Sequence, residues 1–329
     1  MKMKRFLFIM ILIAIFVSCF YRMNEHYDQF SRYPYPLNES KKAWLLKNLD
    51  KDEINYMIEN KLEYNVVNTF MDIEGFNIKN SLCYEKCLNA SLEDKTYIVA
   101  FVNKYKNKLN YDDLDLLLNH YSYNEIMVFY DQEANQSLKL VADPTALLLT
   151  LKEDENLFHY VPANLKKLSK IKTMNIDGSS RMYLQKDALT ALKTMLDKAI
   201  EINQKAQGGL VVYCTYLSYE QQTLLTSQNH PMIKQAGFNE YQLGYSVCLT
   251  TDTTLEFEED SLENNFKYLQ ELQYSWLKDN AYKYGFIFRN KEELSMNDQL
   301  YFELRYVGEE IALTMHQQQI TLEEYKALP

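Results

Sequence analysis

Glycine and proline are scarce, 8 and 6 among 329 residues. That excludes collagen-like and low-complexity chains and suits helix-rich structure with few long loops. An excess of basic charge is also missing. Lys and Arg number 35 against 45 Asp and Glu, a formal net charge of −10. Nucleic acid is therefore not an expected partner, because phosphate binding needs clustered Lys and Arg. Cysteine is sparse and odd in number, with five. Cys83 and Cys87 stand one helical turn apart, where a disulfide would constrain almost nothing. No second Cys pair exists to complete a zinc framework. Apolar and charged contents of 47% and 24% exclude a mostly disordered chain. Tyrosine is abundant at 27 residues, which reads as compositional bias before it reads as a binding surface.

The length is too great for one compact core of ordinary size, so two domains are expected. Residues 1–21 open with the basic run from Lys2 to Arg5, followed by the almost wholly apolar Phe6 to Tyr21. Basic-then-apolar is the layout of an export signal or an uncleaved signal anchor. The Phe16-Val17-Ser18-Cys19 run also fits a loose lipobox, so signal anchor, lipoprotein-type signal and cleaved signal all stand as readings. Each places the remaining chain outside the cytoplasm, with the first two holding it to a bacterial membrane. Residues 22–40 read as an extended tether.

Residues 41–140 carry apolar residues mostly at helical spacing, with a weak internal repeat. Leu49 to Ile58 parallels Leu109 to Leu118, and Tyr64 to Phe70 parallels Tyr123 to Phe129. In each copy a polar cap with acidic residues opens a helix, and the acids suit the positive end of its dipole. Thr96 to Val102 is a short buried strand or helix core.

From 141 to 329 strands and helices mix. Ala188, Leu192, Met195, Ala199 and Ile202 predict an amphipathic helix over 183–206, stopped by Gly208 and Gly209. Leu210 to Tyr216 follows as a strand. Tyr245 to Thr250 alternates, with Val247 and Leu249 on one face and Ser246, Cys248 and Thr250 on the other. A helix is predicted over 266–284 with Gly285 as its stop, and another over 308–318. Thr321 and Glu324 then form a capping box for a last short helix.

Two segments carry the chemistry, GFNEYQLGYSVCL over 237–249 and LYFELRYVG over 300–308. Together they resemble the zinc-binding segments of VanY-type D-alanyl-D-alanine carboxypeptidases, S-E-H-Q-T-G-x-A-x-D and E-P-W-H-x-R-Y-V-G. Glu240, Gln242, Gly244, Val247, Arg305, Tyr306, Val307 and Gly308 keep the family's spacing. Three further stretches add to the resemblance. Tyr216 to Gln222 is similar to S-G-Y-R-S-Y-x-x-Q, Trp276 to Arg289 to W-L-x-x-N-A-x-x-Y-G-F-I-L-R, and Thr321 to Tyr325 to the L-T-L-E-E-Y ending. The resemblance spans roughly 142–329. It implies an α+β fold in which a C-terminal LAS/VanY-like domain, a small antiparallel sheet flanked by helices, follows a mainly helical N-terminal domain and a membrane segment.

The family's activity needs an open zinc site of two His and one Asp, a Glu that takes the water's proton, and an Arg that holds the peptide or its developing charge. Here the ligand-equivalent positions are Tyr241, Cys248 and Glu303, the base position is Leu300 and the Arg position is Leu217. The five His residues (26, 120, 159, 230 and 316) lie outside the motif positions. No catalytic residue and no metal are expected. The implied function is a membrane-tethered, extracytoplasmic pseudo-carboxypeptidase that binds peptidoglycan peptide or regulates cell-wall metabolism without hydrolysis. Tyr216, Ser218, Gln222, Asn239, Gln242 and Arg305 are the candidate peptide contacts. Two other readings stay open: a zinc D,D-carboxypeptidase with rearranged ligands, and a scaffold that docks a cell-wall protein. The resemblance also sets Cys214 near Cys248, where a disulfide across the former site is one possibility and buried thiols the other.

Overall fold

The structure, a computed structural model, describes the chain apart from residues 1, 26–27, 91, 136, 175, 177–180, 201–207, 234, 254–261, 290–293, 297–298 and 329. The backbone divides into two compact units, Met1–Leu114 and Asp115–Pro329.

The first unit is helical: α1 (Lys2–Glu25), α2 (Glu39–Asn48), α3 (Lys51–Glu59), α4 (Tyr64–Phe70), α5 (Ser81–Asn89) and α6 (Lys95–Tyr105). In α1 the apolar side chains from Ile9 to Phe20 are exposed. Among the described residues, no helix is long and apolar enough to cross a membrane. Part of the expected tether is packed instead of extended. Phe30 and Tyr33 are buried with Leu45, Ile54, Met57 and Val67, and the Tyr33 hydroxyl donates to Leu62 O at 2.6 Å. Thr96 to Val102 resolves as helix α6, whose Ile98, Val99, Phe101 and Val102 are buried. Asp50 and Glu53 close a capping box at the start of α3, the acidic opening the sequence predicts there.

The helix α7 (Leu114–Leu118) opens at the boundary, and α8 (Tyr123–Asp131) lies in the second unit. Side chains tie this stretch to residues beyond 140. The Tyr121 hydroxyl donates to Leu157 O at 3.1 Å, Leu140 N donates to the Tyr130 hydroxyl at 3.2 Å, and the Phe129 and Phe158 rings meet edge-on at 5.3 Å. Those long-range ties explain why the division falls before α8 and not at the composition change near 140.

The rest of the second unit runs β1 (Lys139–Leu140), β2 (Glu155–Asn156), β3 (Leu165–Lys167), β4 (Tyr183–Gln185), α9 (Lys186–Lys198), β5 (Gly208–Cys214), α10 (Tyr219–Ser227), β6 (Ser246–Thr253), α11 (Leu262–Asn280), β7 (Phe286–Phe288), β8 (Leu294–Met296), β9 (Gln299–Tyr306), α12 (Glu309–Gln318) and α13 (Leu322–Lys326). The predicted helix over 183–206 opens as strand β4 and turns helical only at Lys186, because Tyr183 to Gln185 pair with β3. It is capped at Ala199, residues 201–207 lie outside the described residues, and Gly208 and Gly209 belong to β5. The capping box of Thr321 and Glu324 opens α13 as predicted.

The main sheet is antiparallel, ordered β5-β6-β9-β7, with β8 pairing β9. Alternation along the strands sends side chains to opposite faces, and here each face is covered. Val212, Val247, Leu249, Phe302 and Leu304 pack on one side with Leu189, Leu192, Met195 and Leu277. Cys214, Cys248 and Tyr301 pack on the other with Leu217, Leu225, Met232, Ile233 and Tyr241. A sheet buried on both faces leaves little room at its centre for charged groups.

Candidate functional site

Register brings the motif positions together. Cys214 lies opposite Cys248 across β5 and β6, and Cys248 lies opposite Glu303 across β6 and β9. These three residues form a row over three strands, their side chains on one face. Tyr241 reaches the end of that row from a single 3₁₀ turn, Glu240–Leu243, capped by the Asn239 side chain, whose Oδ1 accepts from Tyr241 N at 3.0 Å. The Tyr241 hydroxyl donates to Glu303 Oε1 at 2.9 Å.

The chemistry of Tyr241 and Cys248, two of the three positions that the resemblance singles out, is that of a core. Tyr241 is buried, and burial, reinforced by Cys248 and Glu303, pushes its phenol well above the ordinary range. The Cys248 thiol is likewise pushed well up by burial, with Cys214 and Glu303 adding to it, and it donates to Leu249 O at 3.7 Å. A metal ligand must give up its proton, and these two groups hold theirs firmly. Among the described residues, no three His, Cys, Asp or Glu side chains are grouped to hold a metal ion. Tyr241 and Cys248 therefore do not fit the zinc ion that the resemblance implies, and Glu303 is left as the one ordinary ligand of the three. Leu217 is buried in the same apolar cluster. Leu300 sits in β9 opposite Ser295, and its side chain lies outside the described residues.

Of the candidate peptide contacts, Gln222 and Gln242 are wholly buried and bonded into the frame. Gln222 Nε2 donates to Leu217 O at 3.0 Å and to Gln242 Oε1 at 2.9 Å, and its Oε1 accepts from Gly237 N at 3.0 Å. Gln242 Nε2 donates to Phe158 O at 2.5 Å and Tyr160 O at 3.0 Å. The pair holds Gly237, whose φ of +82° and closeness to Asn156 leave no room for a side chain. A Cβ there would lie 2.2 Å from Asn156 Oδ1. Ser218 caps α10 in a capping box with Gln221. Tyr216 is partly buried, its phenol pushed up to about 12 by burial and the nearby Glu220.

Arg305 is fully buried. Its Nη2 donates to Leu147 O at 3.0 Å, its Nη1 lies 4.0 Å from Glu240 Oε2, and its guanidinium sits 5.2 Å from the Tyr245 ring centre. Desolvation pulls its pKa down to about 10 against the opposing pull of Glu240. Glu240 is shared: Arg289 Nε and Nη2 donate to its two oxygens at 3.1 and 2.9 Å, and the same Nη2 donates to Glu323 at 2.9 Å. Arg305 and Glu240, kept at family spacing, thus form a buried charge network under the site.

A cavity of about 340 Å³ remains beside the row. Asn239, Glu240, Tyr241, Ser246, Arg289 and Glu303 are among its lining residues. The Ser246 hydroxyl is buried and has no hydrogen-bond partner among the described residues. Of the six candidate contacts, Asn239 alone is in this lining. Ser246 and Arg289 were not among them, although Arg289 closes the Trp276 to Arg289 motif and Ser246 shares a strand face with Cys248. That alternation was the signal available for Ser246.

Known proteins point the same way. Residues 181–309 match the family described as VanY, D-alanyl-D-alanine carboxypeptidase. The putative carboxypeptidase YodJ of Bacillus subtilis (strain 168) is 28% identical over 214 residues, 61% of this chain and 74% of that protein. The D-alanyl-D-alanine carboxypeptidase of Enterococcus faecium is 24% identical over 153 residues. That match spans 44% of this chain and less than half of the relative, 45%. Among solved structures, the LdcB LD-carboxypeptidase is similar at 25% identity and a TM-score of 0.41, over 57% of this chain and 89% of that one. The row of Cys214, Cys248 and Glu303 lies within the residues that match the VanY family of D-alanyl-D-alanine carboxypeptidases.

Proposed function

We propose that this chain is a carboxypeptidase-family protein that binds the peptide portion of peptidoglycan and does not cleave it. The observation that carries the reading is the contrast within one site. Leu217, Tyr241 and Cys248, at the Arg position and two of the three metal positions, belong to a buried apolar cluster, while the third, Glu303, lines a polar cavity that persists beside them. Binding needs the cavity, whereas hydrolysis needs a polarised carbonyl and a base. Leu217 supplies no charge, and a leucine at position 300 moves no proton.

The proposed location is the outer face of a bacterial membrane, with the N-terminal helix as the anchor. The apolar side chains of α1 from Ile9 to Phe20 have no protein cover, which supports lipid as their surroundings.

The test combines three measurements on the full chain in detergent: zinc per chain, release of D-alanine from a D-Ala-D-Ala-ending peptide, and retention on purified peptidoglycan. The expected result is retention, competed by the free peptide, with no zinc and no release. Zinc near one per chain with D-alanine release would replace this reading with an active enzyme of unforeseen ligands. Absence of both retention and release would favour a scaffold that docks a cell-wall protein.

A further inference from the structure

We propose that Cys214 and Cys248 are a disulfide site, oxidised by a disulfide-bearing molecule to a cross-strand bond between β5 and β6 as the sheet forms. The site is built by a β-bulge. Val212 pairs with Leu249, but the register then shifts, so that Cys214 opposes Cys248 and Tyr213 is the extra residue. Without that shift Tyr213 would face Cys248, and Cys214 would face Val247. Directly opposed residues of an antiparallel pair have Cα atoms about 4.5 or 5.5 Å apart, and both spacings fall within the range of about 4.4–6.8 Å that a disulfide spans. Both side chains belong to the same buried cluster, so they lie on the same face. Their sulfurs are thiols here and make long contacts to neighbouring carbonyls, Cys214 to Thr215 O at 3.5 Å and Cys248 to Leu249 O at 3.7 Å.

The chemistry balances as thiol–disulfide exchange. One cysteine thiolate attacks a sulfur of the oxidant, forming a mixed disulfide and releasing one thiol. The second thiolate then attacks the protein sulfur of that bond, releasing the second thiol. Two protein S–H bonds and one oxidant S–S bond are lost, and one protein S–S bond and two oxidant S–H bonds are gained. Two electrons pass to the oxidant. Because both thiols are fully buried in the folded sheet, the exchange belongs to folding and not to the finished protein.

The experiment refolds the full chain in detergent with glutathione disulfide, blocks remaining thiols with N-ethylmaleimide and maps the peptides by mass. The expected result is a linked peptide pair containing Cys214 and Cys248. The folded, reduced chain should resist the same oxidant. Closing a loop of about 35 residues should raise the folded-to-unfolded ratio on the order of several hundred-fold. Dithiothreitol should reverse that gain in the native sequence and have no effect on Cys214→Ala. Blocked thiols at both positions in refolded protein, or linkage of either to Cys83 or Cys87, would overturn the proposal. The mapping decides the matter even if the alanine variant does not fold.

Discussion

Replacing Gln242 by Leu tests whether the buried glutamines, Gln222 and Gln242, serve the frame or the ligand. The substitution keeps most of the volume and removes every polar atom. It leaves the buried carbonyls of Phe158 and Tyr160 without their donor, and one Gln222 N–H without its acceptor. An unsatisfied buried group costs about 1–3 kcal/mol. Three of them, discounted for local relaxation, amount to roughly 3–6 kcal/mol against the ~5–15 kcal/mol that stabilises a typical domain. The second unit should therefore lose much of its resistance to urea. The chain holds two tryptophans, Trp44 and Trp276, one in each unit. A Trp44→Phe background lets fluorescence report on the second unit alone. Gln222→Leu should cost a similar amount, and the double substitution clearly less than the sum, because the two side chains share a bond. A loss below about 1 kcal/mol for Gln242→Leu would refute the reasoning. Such a result, combined with weakened retention on peptidoglycan, would return Gln242 to the ligand side.

Three other outcomes are expected. Tyr241→Phe removes one hydrogen bond to Glu303 and should destabilise the second unit by about 1–3 kcal/mol in urea unfolding, with no change in zinc content. Gly237→Ala should lower the thermal midpoint by several degrees, since its backbone is left-handed and Asn156 occupies the space a Cβ needs; an unchanged midpoint would contradict the turn described. Burial holds the His230 imidazole below its ordinary 6.5, so the unfolded chain takes up a proton there before the folded one does. That contribution is full above about pH 6.5 and is lost as pH falls through the depressed folded value, so the slope of urea midpoints between about pH 7 and 5 should flatten in His230→Gln.

Much of the second unit was legible because its signals are local. The capping box of Thr321 and Glu324, the buried stripe of Ala188, Leu192 and Met195, and the two faces of β6 each depend on residues a few positions apart. The role of the glutamines was not legible, since their partners lie as far as Phe158 and Tyr160 in sequence. The same holds for Phe30 and Tyr33, whose burial depends on Leu62 and its neighbours and overrides the extended look of Tyr-Pro-Tyr-Pro. Tyr183 to Gln185 follow helical spacing, yet pairing with Leu165 to Lys167 makes them a strand. Arg305 stands at the family's spacing, and no spacing reveals that its guanidinium is fully enclosed.

The double-sided burial of β6 sets the order in which its positions can change. Leu217, Tyr241 and Cys248 hold up one side of the sheet, so a charged or metal-ligating residue placed at any one of them would meet an apolar cluster first. A lone change of that kind would weaken the fold without assembling a site, and several would have to arrive together. The cavity beside the sheet is under no such constraint, so the lining can vary while the packing stays fixed.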